Sequence, residues 1–497
     1  MKKSALIFPL LLAVIFPLLF HKQQAGLNMF MLDLILIFLV FYLKKSTLKN
    51  PLTLVLIVGS LISGFTVLLY GSVTSITVNV ISLILLSGIL AAPSLSVLLN
   101  GFITAAVGGL TSPYHYFKGL NGISGSNRIL NKGFRYAGLI ILPIIILLIF
   151  VSLYSAASPY YNQLTGDFTR YLNNLFNRFF NVISPPIFWI GIAGLASGVV
   201  LLFSFMPKFF ELPGEKGDQT LLRQRKLYIG SPVALKSEYR TALLMFIMLN
   251  LALGVMNFLD LYHVWINFKW DGGFLKQFVH EGTWLLILSI IISGILVLWY
   301  FRENINFYSR NRLLKILVRI WLFQNMFLAF SVAVRNFWYM HYFNLAFKRI
   351  WVFAFLVVVI YGLFTVLIKV NQKKTLRFLL IRNSIAVYLI FTALSLFNWD
   401  VIIARFNINR SQKAFFHTDF MVGLDDSTLP ILIMNPQQVG DVSRSQAKIF
   451  HFYNNYLSVS EYNKILLNRK KDFLKGYPHM HWLSWNLADY KTFKELQ

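Results

Sequence analysis

Eleven apolar runs of about 20 residues each divide this chain, and they limit its possible folds more strongly than any other feature. A helix of about 20 apolar residues crosses the hydrocarbon layer of a bilayer, where only helices and closed barrels satisfy their own backbone hydrogen bonds. The sequence therefore predicts an all-α, polytopic transmembrane helical bundle. The predicted spans are residues 4–20, 26–43, 51–70, 76–94, 136–156, 186–206, 241–260, 282–301, 313–333, 350–368 and 378–397.

The composition agrees with a protein of the bilayer. Hydrophobic residues make up 57% of the 497 residues and charged residues 13%, whereas soluble domains carry about 25% charged residues. The net charge of +27 does not indicate a nucleic-acid partner, because the basic residues lie between apolar spans, where membrane topology already explains them. Cysteine is absent, which excludes disulfides, thiolate metal ligands and a cysteine nucleophile.

Lysine and arginine are distributed unequally between the two sides that eleven spans define. With the N-terminus in the cytoplasm, the inside segments hold 26 of them and the outside loops hold 8, while the tail after the last span holds 12. Because positive charge resists translocation, the sequence predicts an N-in, C-out protein. The first run could also be a signal peptide, but no small-residue cleavage site follows it, so we expect an uncleaved span.

Two further stretches bear on this count. Residues 95–110 are apolar enough to span, but a span there would reverse every later loop, so we expect a helix at the cytoplasmic interface. Residues 167–183 place apolar side chains at helical spacing, which predicts an amphipathic helix on the outer surface. The predicted regions are a four-span N-terminal region (1–134), a seven-span region (135–397) and a small helical extracytoplasmic tail (398–497).

The bilayer is the first predicted partner of the chain. The longest cytoplasmic loop, 207–240, mixes basic and acidic residues. Its simplest interpretation is a solvated or headgroup-facing loop, and the alternative is a docking site for an envelope protein. The tail 398–497 is the second place where such a partner could bind.

Asp33 is the clearest polar residue inside a predicted span. It lies seven residues into the second run, roughly 10 Å deep at a rise of about 1.5 Å per residue. A charged group at this depth is costly and usually faces the bundle interior. Asp33 is therefore either a proton or cation site, or a carboxyl that is kept protonated or is paired with Lys or Asn on a neighbouring helix.

The ninth predicted span carries a polar stripe. Gln324, Ser331 and Arg335 are spaced i, i+7 and i+11, which places them within about 20° of one another at 100° per residue. Asn325 and Asn336 follow the same i, i+11 relation. Such a stripe could line a solute path or a headgroup cavity, or it could join helices without any transport.

Charged residues collect at the predicted outer ends of the eighth to tenth spans. His280 and Glu281 begin the eighth, Arg335 lies near the end of the ninth, and Lys348 and Arg349 open the tenth. If these ends meet, the three cations could hold an anionic ligand, with His280 or Glu281 exchanging protons. The alternative is ordinary interfacial anchoring.

Standard catalytic and metal-binding signatures are missing. His280 and Glu281 lack the second histidine of a zincin helix, and no phosphate-binding glycine loop or nucleophile elbow is present. The tail histidines lack regular ligand spacing, so we predict neither a metal nor a cofactor. They are His417, His451, His479 and His481.

Five short runs occur in an order that resembles a known family. They are VHEGTW (279–284), WLFQN (321–325), FKRI (347–350), NWD (398–400) and RFN (405–407). They are similar to Bacteroidota-type members of a bacterial membrane protein family catalogued as domain of unknown function 4173, related to domain of unknown function 4153. The resemblance covers roughly 135–497. It implies a many-spanning protein of the bacterial inner membrane, and it carries over no substrate, cofactor or catalytic residue.

Three functional classes follow from these observations. Asp33, the stripe and the charged span ends favour a transport, channel or lipid-handling protein, which is the leading interpretation of the sequence. The tail and the lack of catalytic signatures favour a non-catalytic membrane scaffold, sensor or complex subunit. An enzyme acting on a lipid-linked substrate is third, with His280 and Glu281 as its only candidates. The absence of a visible inverted repeat counts against the common transporter plans.

Overall fold

A computed structural model of the chain describes residues 3–121, 186–205, 212, 214–223, 232–267, 274–302, 304–449 and 456–497. Within these ranges the chain is helical and forms no strand, which confirms the predicted all-α class. The helices of the apolar region are α1 (Phe8–Phe20), α2 (Leu27–Leu43), α3 (Pro51–Tyr70), α4 (Val73–Ala91), α5 (Asn100–Asn121), α6 (Pro186–Phe203), α7 (Pro232–Asp260), α8 (Phe274–Tyr300), α9 (Arg312–Phe343), α10 (Phe347–Gln372) and α11 (Leu376–Ser395). The helices of the tail are α12 (Trp399–Asn409), α13 (Thr418–Val422), α14 (Leu429–Leu432), α15 (Pro436–Ile449), α16 (Val459–Gly476) and α17 (Leu487–Leu496).

Ten of the eleven predicted spans coincide with described helices. Seven helices are long and apolar enough to cross a membrane: α3, α4, α6, α7 with its continuation to Ile266, α9, α10 and α11. The helices α1 and α2 and the described part of α8 are apolar but shorter. The predicted span at 136–156 and the predicted amphipathic helix at 167–183 lie outside the described residues, so the count of eleven stays a prediction.

The local sequence explains where the α3–α4 hairpin begins and turns. Asn50 caps α3 by accepting a hydrogen bond from the amide of Leu52. Pro51 begins the helix without strain, because the N–H that proline lacks would have no partner in the first turn. Gly71 ends α3 with a φ of +61°, a left-handed conformation that glycine adopts without strain. Ser72 then caps α4.

Two groups of helices have separate apolar cores. The first core draws on α1 to α6 and includes Leu56, Leu86 and Leu98. The second draws on α7 to α11 and includes Phe246 and Leu322. The two groups are joined by α11, which also contacts α3 and α4.

Small residues bring α1 and α6 close together. A methyl group added at Gly194 would lie 2.3 Å from the carbonyl oxygen of Leu12, and one added at Gly198 would lie 2.9 Å from the Cα of Pro9. Two glycines four residues apart on one face are the usual device for close packing of membrane helices. The pairing order shows that α6 runs antiparallel to α1.

The helix α5 lies at one end of the bundle. Gly101 lies against Leu85, Gly108 against Ser204, and Gly119 against Leu6. The three partners lie towards the end of α4, just after α6 and just before α1. The helix covers residues 100–110 of the predicted interfacial stretch 95–110, and it is not among those apolar enough to cross a membrane.

The connecting loops gather at the two ends of the bundle. At one end, which we call the far end, Glu215 accepts hydrogen bonds from the amides of Ser96 and Val97, and the amide of Thr375 donates to the carbonyl of Gln219 at 2.8 Å. Part of the predicted cytoplasmic loop 207–240 is thereby bound to the bundle. The loops 21–26, 71–72 and 344–346 meet the tail at the opposite end, which we call the tail end.

The tail is helical, as predicted, and it shares its core with the bundle. Phe416, Leu429 and Tyr462 are buried together with Leu345 and Ile350 from the α9–α10 connection. Its last residues also reach the first hairpin of the chain. The amide of Leu27 donates to the carbonyl of Trp485 at 3.0 Å, and the Ser484 hydroxyl donates to Gln23 at 2.8 Å.

Candidate functional site

The polar stripe on α9 faces α7. The side-chain amide of Gln324 donates to the Oδ1 atom of Asn250 at 3.2 Å, and Asn250 donates in turn to the Leu317 carbonyl at 3.1 Å. One heptad further along α7, Asn257 donates to the carbonyl of Gln324 at 3.1 Å. The stripe therefore forms a ladder of hydrogen bonds between two helices.

A buried ion pair completes this ladder near the tail end. Arg335 pairs with the carboxylate of Asp260, and the hydroxyl of Ser331 donates to the other carboxylate oxygen at 2.6 Å. Asp260 is 2% exposed and Arg335 is 4% exposed. Each charge thus has an opposite charge in direct contact, which a buried ionised group requires.

The backbone of α7 changes its geometry directly after Asp260. Residues Leu261–Ile266 form a π-helical turn, a form that is frequent at functional sites. The indole of Trp265 donates to Ser331 at 3.3 Å, and the indole of Trp338 donates to the Val264 carbonyl at 2.9 Å. This turn is therefore attached to α9 on both sides of the ion pair.

The second polar pair on α9 has other partners. Asn325 donates to the carbonyl of Trp321 within its own helix at 2.8 Å. Asn336 donates to the carbonyl of Arg349 at 3.0 Å and so links α9 to the first turn of α10. Both side chains are buried.

The predicted charged vestibule is described only in part. The guanidinium of Arg349 donates to the carbonyl oxygens of Phe343 and Asn344 and lies 4.5 Å from the centroid of the Tyr339 ring, so it caps the end of α9. Lys348 is exposed. His280 and Glu281 belong to α8, and their side chains lie outside the described residues. The anion-binding interpretation of these residues stays a prediction.

Asp33 lies in the first helix group, apart from the stripe. Its Oδ2 atom accepts a 2.5 Å hydrogen bond from Asn79 of α4. Pairing with an asparagine of a neighbouring helix was one of the alternatives that the sequence left open. The amide of Asn79 also lies within hydrogen-bond distance of the Ser60 carbonyl (3.2 Å) and the Ser63 hydroxyl (3.3 Å) of α3. All four side chains are 0% exposed.

Glycines make room for this cluster. A methyl group at Gly64 would lie 2.1 Å from Oδ2 of Asp33, so only glycine allows the carboxyl to approach α3 this closely. One turn away, Gly59 lies under the phenol of Tyr388, which is hydrogen bonded to Ser82 at 2.8 Å. The cluster therefore draws on α2, α3, α4 and α11.

No group of three or more metal-ligating side chains is found in the part of the chain that the structure describes. Two of the tail histidines cap helices instead: His417 accepts from the amide of Phe420 at 3.2 Å, and His481 accepts from the amide of Leu483 at 3.3 Å. Burial lowers the pKa of His417. His451 lies outside the described residues.

Sequence reasoning missed the residues of α7 that meet the stripe. Asn250 and Asn257 are seven residues apart, the same interval that separates Gln324 from Ser331. When polar residues recur at an interval of seven on each of two spans, the pattern can predict that the two helices pack against each other. Asp260 was missed because it stood at the predicted boundary of its span.

A comparison with protein families gives one match. The sequence model of a family described as "Domain of unknown function (DUF4153)" matches residues 7–435. The match covers all of the described apolar helices and the first part of the tail. No curated protein and no solved structure matched the chain.

Proposed function

Since the chain belongs to the DUF4153 family, a family of unknown function, we propose its role from its own geometry: a non-catalytic membrane scaffold or subunit of an envelope complex. The observation that carries this proposal is the ladder between α7 and α9. The stripe that would line a solute path along α9 is bonded to the neighbouring helix at Gln324, Ser331 and Arg335. Polar side chains used in this way hold helices together.

The tail is the favoured surface for a partner. The described part of the loop 207–240 is bound to the bundle through Glu215, which also accepts from Asn100 at 2.9 Å. The tail in contrast rests on the bundle by one face and presents α15 and α16 on the other. The strongly amphipathic α15 combines buried Val442 with the exposed, paired side chains of Arg444 and Asp441.

Co-purification from native membranes tests the scaffold proposal. A methyl group at Gly26 would lie 2.6 Å from the carbonyl oxygens of Ser484 and Trp485, whereas the nearest atom to a methyl group at Gly294, on α8, would be 3.8 Å away. We expect a stoichiometric partner with the wild-type chain and with Gly294→Ala, and loss of that partner with Gly26→Ala. Co-purified lipid without a protein partner would contradict the scaffold and favour lipid handling.

Thiol accessibility tests the same proposal at the stripe. The chain has no cysteine, so each introduced cysteine is the only one. The scaffold predicts that Gln324→Cys is protected from a small charged thiol reagent, while Asn468→Cys in the tail, an exposed position, reacts. Reaction at residue 324 would indicate a water-filled path and favour the transport class.

We also propose the N-in, C-out orientation in a bacterial inner membrane, which the uneven distribution of Lys and Arg supports. The loops grouped at the far end are those with the higher predicted positive charge. Impermeant thiol reagents should label Gln24→Cys and Asn468→Cys in intact cells, but Gln219→Cys and Gln372→Cys only after permeabilisation. The reverse pattern would place the tail in the cytoplasm.

A further inference from the structure

A buried carboxyl outside the α7–α9 ladder is not used by the scaffold proposal. Asp33 is 0% exposed in a helix that lies among apolar neighbours. Among the described residues no Lys, Arg or His forms an ion pair with it. This contrasts with Asp260, whose buried charge is matched by Arg335.

Three oxygen atoms around Asp33 lack a hydrogen-bond partner of ordinary geometry among the described residues, and the Ser60 hydroxyl acts on the carboxyl as a further donor beside Asn79. They are Oδ1 of Asp33, Oδ1 of Asn79 and Oγ of Ser60, each fully buried. An unmatched buried acceptor is costly, and a carboxylate is the costliest of them. A proton on Oδ1 neutralises the carboxyl and turns that atom into a donor.

From this geometry we propose that Asp33 is a reversible proton-binding site inside the membrane, with Asn79 as a positioning residue. The proton adds to Oδ1, while Asn79 holds Oδ2 by its amide. The titratable group that faces Asp33 from a neighbouring helix is the phenol of Tyr388, which interacts with it electrostatically. No titratable side chain of α3 or α4 contacts the carboxyl in the described part of the chain.

A divalent metal ion fits this site less well than a proton. Calcium and magnesium take about six or more oxygen ligands, and three oxygens are free here. The inference is independent of the scaffold proposal, because Asp33 lies outside the ladder. If it holds, it gives the transport class its first specific site.

Labelling with dicyclohexylcarbodiimide tests the proposal, since this apolar reagent modifies protonated carboxyls that lie within lipid. We expect Asp33 of the purified full-length protein to be labelled at low pH and to be labelled less in samples treated at higher pH. Returning a sample to low pH before the reagent is added should restore the labelling. The adduct is located by mass spectrometry of peptides. Asp260 is the internal control, because its carboxylate is already bound by Arg335 and Ser331, and we expect no adduct there.

Two variants sharpen the test. Asp33→Asn should lose the adduct at this position. Asn79→Ala removes the hydrogen bond that favours the ionised form, so labelling should persist to a pH about one unit higher than in the wild type. Absence of labelling, labelling that does not change with pH, or protection by sodium ions at constant pH would each overturn the proton-binding proposal; protection by sodium would identify an alkali-ion site instead.

Discussion

Ser331 donates a 2.6 Å hydrogen bond to Asp260 across the contact between α7 and α9, and Arg335 pairs with the same carboxylate from one turn further along. Removing the arginine leaves a buried carboxylate without its counterion. We therefore expect Arg335→Met to lower the stability of the protein by about 3 kcal/mol, measured by thermal unfolding in detergent.

The double variant supplies the control for this ion pair. Asp260→Asn combined with Arg335→Met removes both charges together, so its loss of stability should be clearly smaller than the sum of the two single losses. Additive losses would show that the two side chains do not stabilise each other. Ser331→Ala should cost about 2 kcal/mol, because it removes the hydrogen bond to Asp260 and the acceptor of the Trp265 indole.

Gly64 should not tolerate a side chain. Its added methyl group would lie 2.1 Å from Oδ2 of Asp33, whereas the nearest atom to a methyl at Gly254, on α7, is 3.9 Å away. Gly64→Ala should therefore destabilise the first helix group, and Gly254→Ala should be neutral or stabilising by about 0.5–1 kcal/mol. Unfolding temperatures of the two variants compare them directly, and equal effects would refute the close approach.

Docking of the tail should depend on the absence of a side chain at Gly26. Its neighbours Ser484 and Trp485 approach through backbone carbonyls, which cannot rotate away as a side chain would. Gly26→Ala should make 398–497 cleavable by protease at lower concentrations than in the wild type. Gly440→Ala, within α15 of the same tail, is the matched control and should leave the cleavage pattern unchanged.

Stability of the tail should fall as the pH rises from about 4 to about 6. Burial raises the pKa of Asp489 from its ordinary value of 3.8 to about 6; the hydrogen bond from Asn486 opposes this shift, and the charges of Asp425 and Asp426 add to it. The pKa of Asp489 is higher in the folded tail than in the unfolded chain, so the protonated carboxyl favours the folded tail. This contribution to the free energy of unfolding is complete below about pH 4 and is lost by about pH 6. The loss is on the order of 2 kcal/mol.

Asparagine at this position should remove most of that pH dependence. Asp489→Asn keeps an acceptor for Asn486 but cannot ionise. Unfolding of the full-length chain at pH 4 and pH 7 should differ less in this variant than in the wild type. Asp472→Asn, at an exposed position on α16, should retain the wild-type difference; if both variants behave alike, Asp489 is not the titrating group.

The helices could be predicted because their apolar residues report directly on the bilayer. Ten predicted spans coincide with described helices, although α7 begins nine residues before its predicted start and α9 ends ten residues after its predicted end. Observed and predicted helix ends differ where a capping residue lies outside the apolar run. Ser72, for example, caps α4, so this helix begins before the predicted residue 76. The π-helical turn could not be foreseen, and it continues α7 past Asp260, which places this residue inside the helix.

The candidate sites show the limit of reading one helix at a time. The spacing of Gln324, Ser331 and Arg335 fixes their common face, because the angle per residue is constant. It does not say which helix lies opposite, since that depends on the packing of distant parts of the chain. Asp33 is another example. Its depth in the second predicted span marked it as a candidate site, but one helix alone could not show that Asn79 would be its partner.

The hydrogen bonds between the loop 21–26 and Ser484 join residues about 460 positions apart. At a synthesis rate of about 5–20 residues per second, the first hairpin waits about 20 to 90 seconds for the segment that completes it. During that interval the groups of Gln23, Gln24 and Leu27 that bond to Ser484 and Trp485 have no native partner. A chain truncated by its last twenty residues would therefore expose the defect at its beginning, which makes the first hairpin the place where a cell's quality control could detect an unfinished copy.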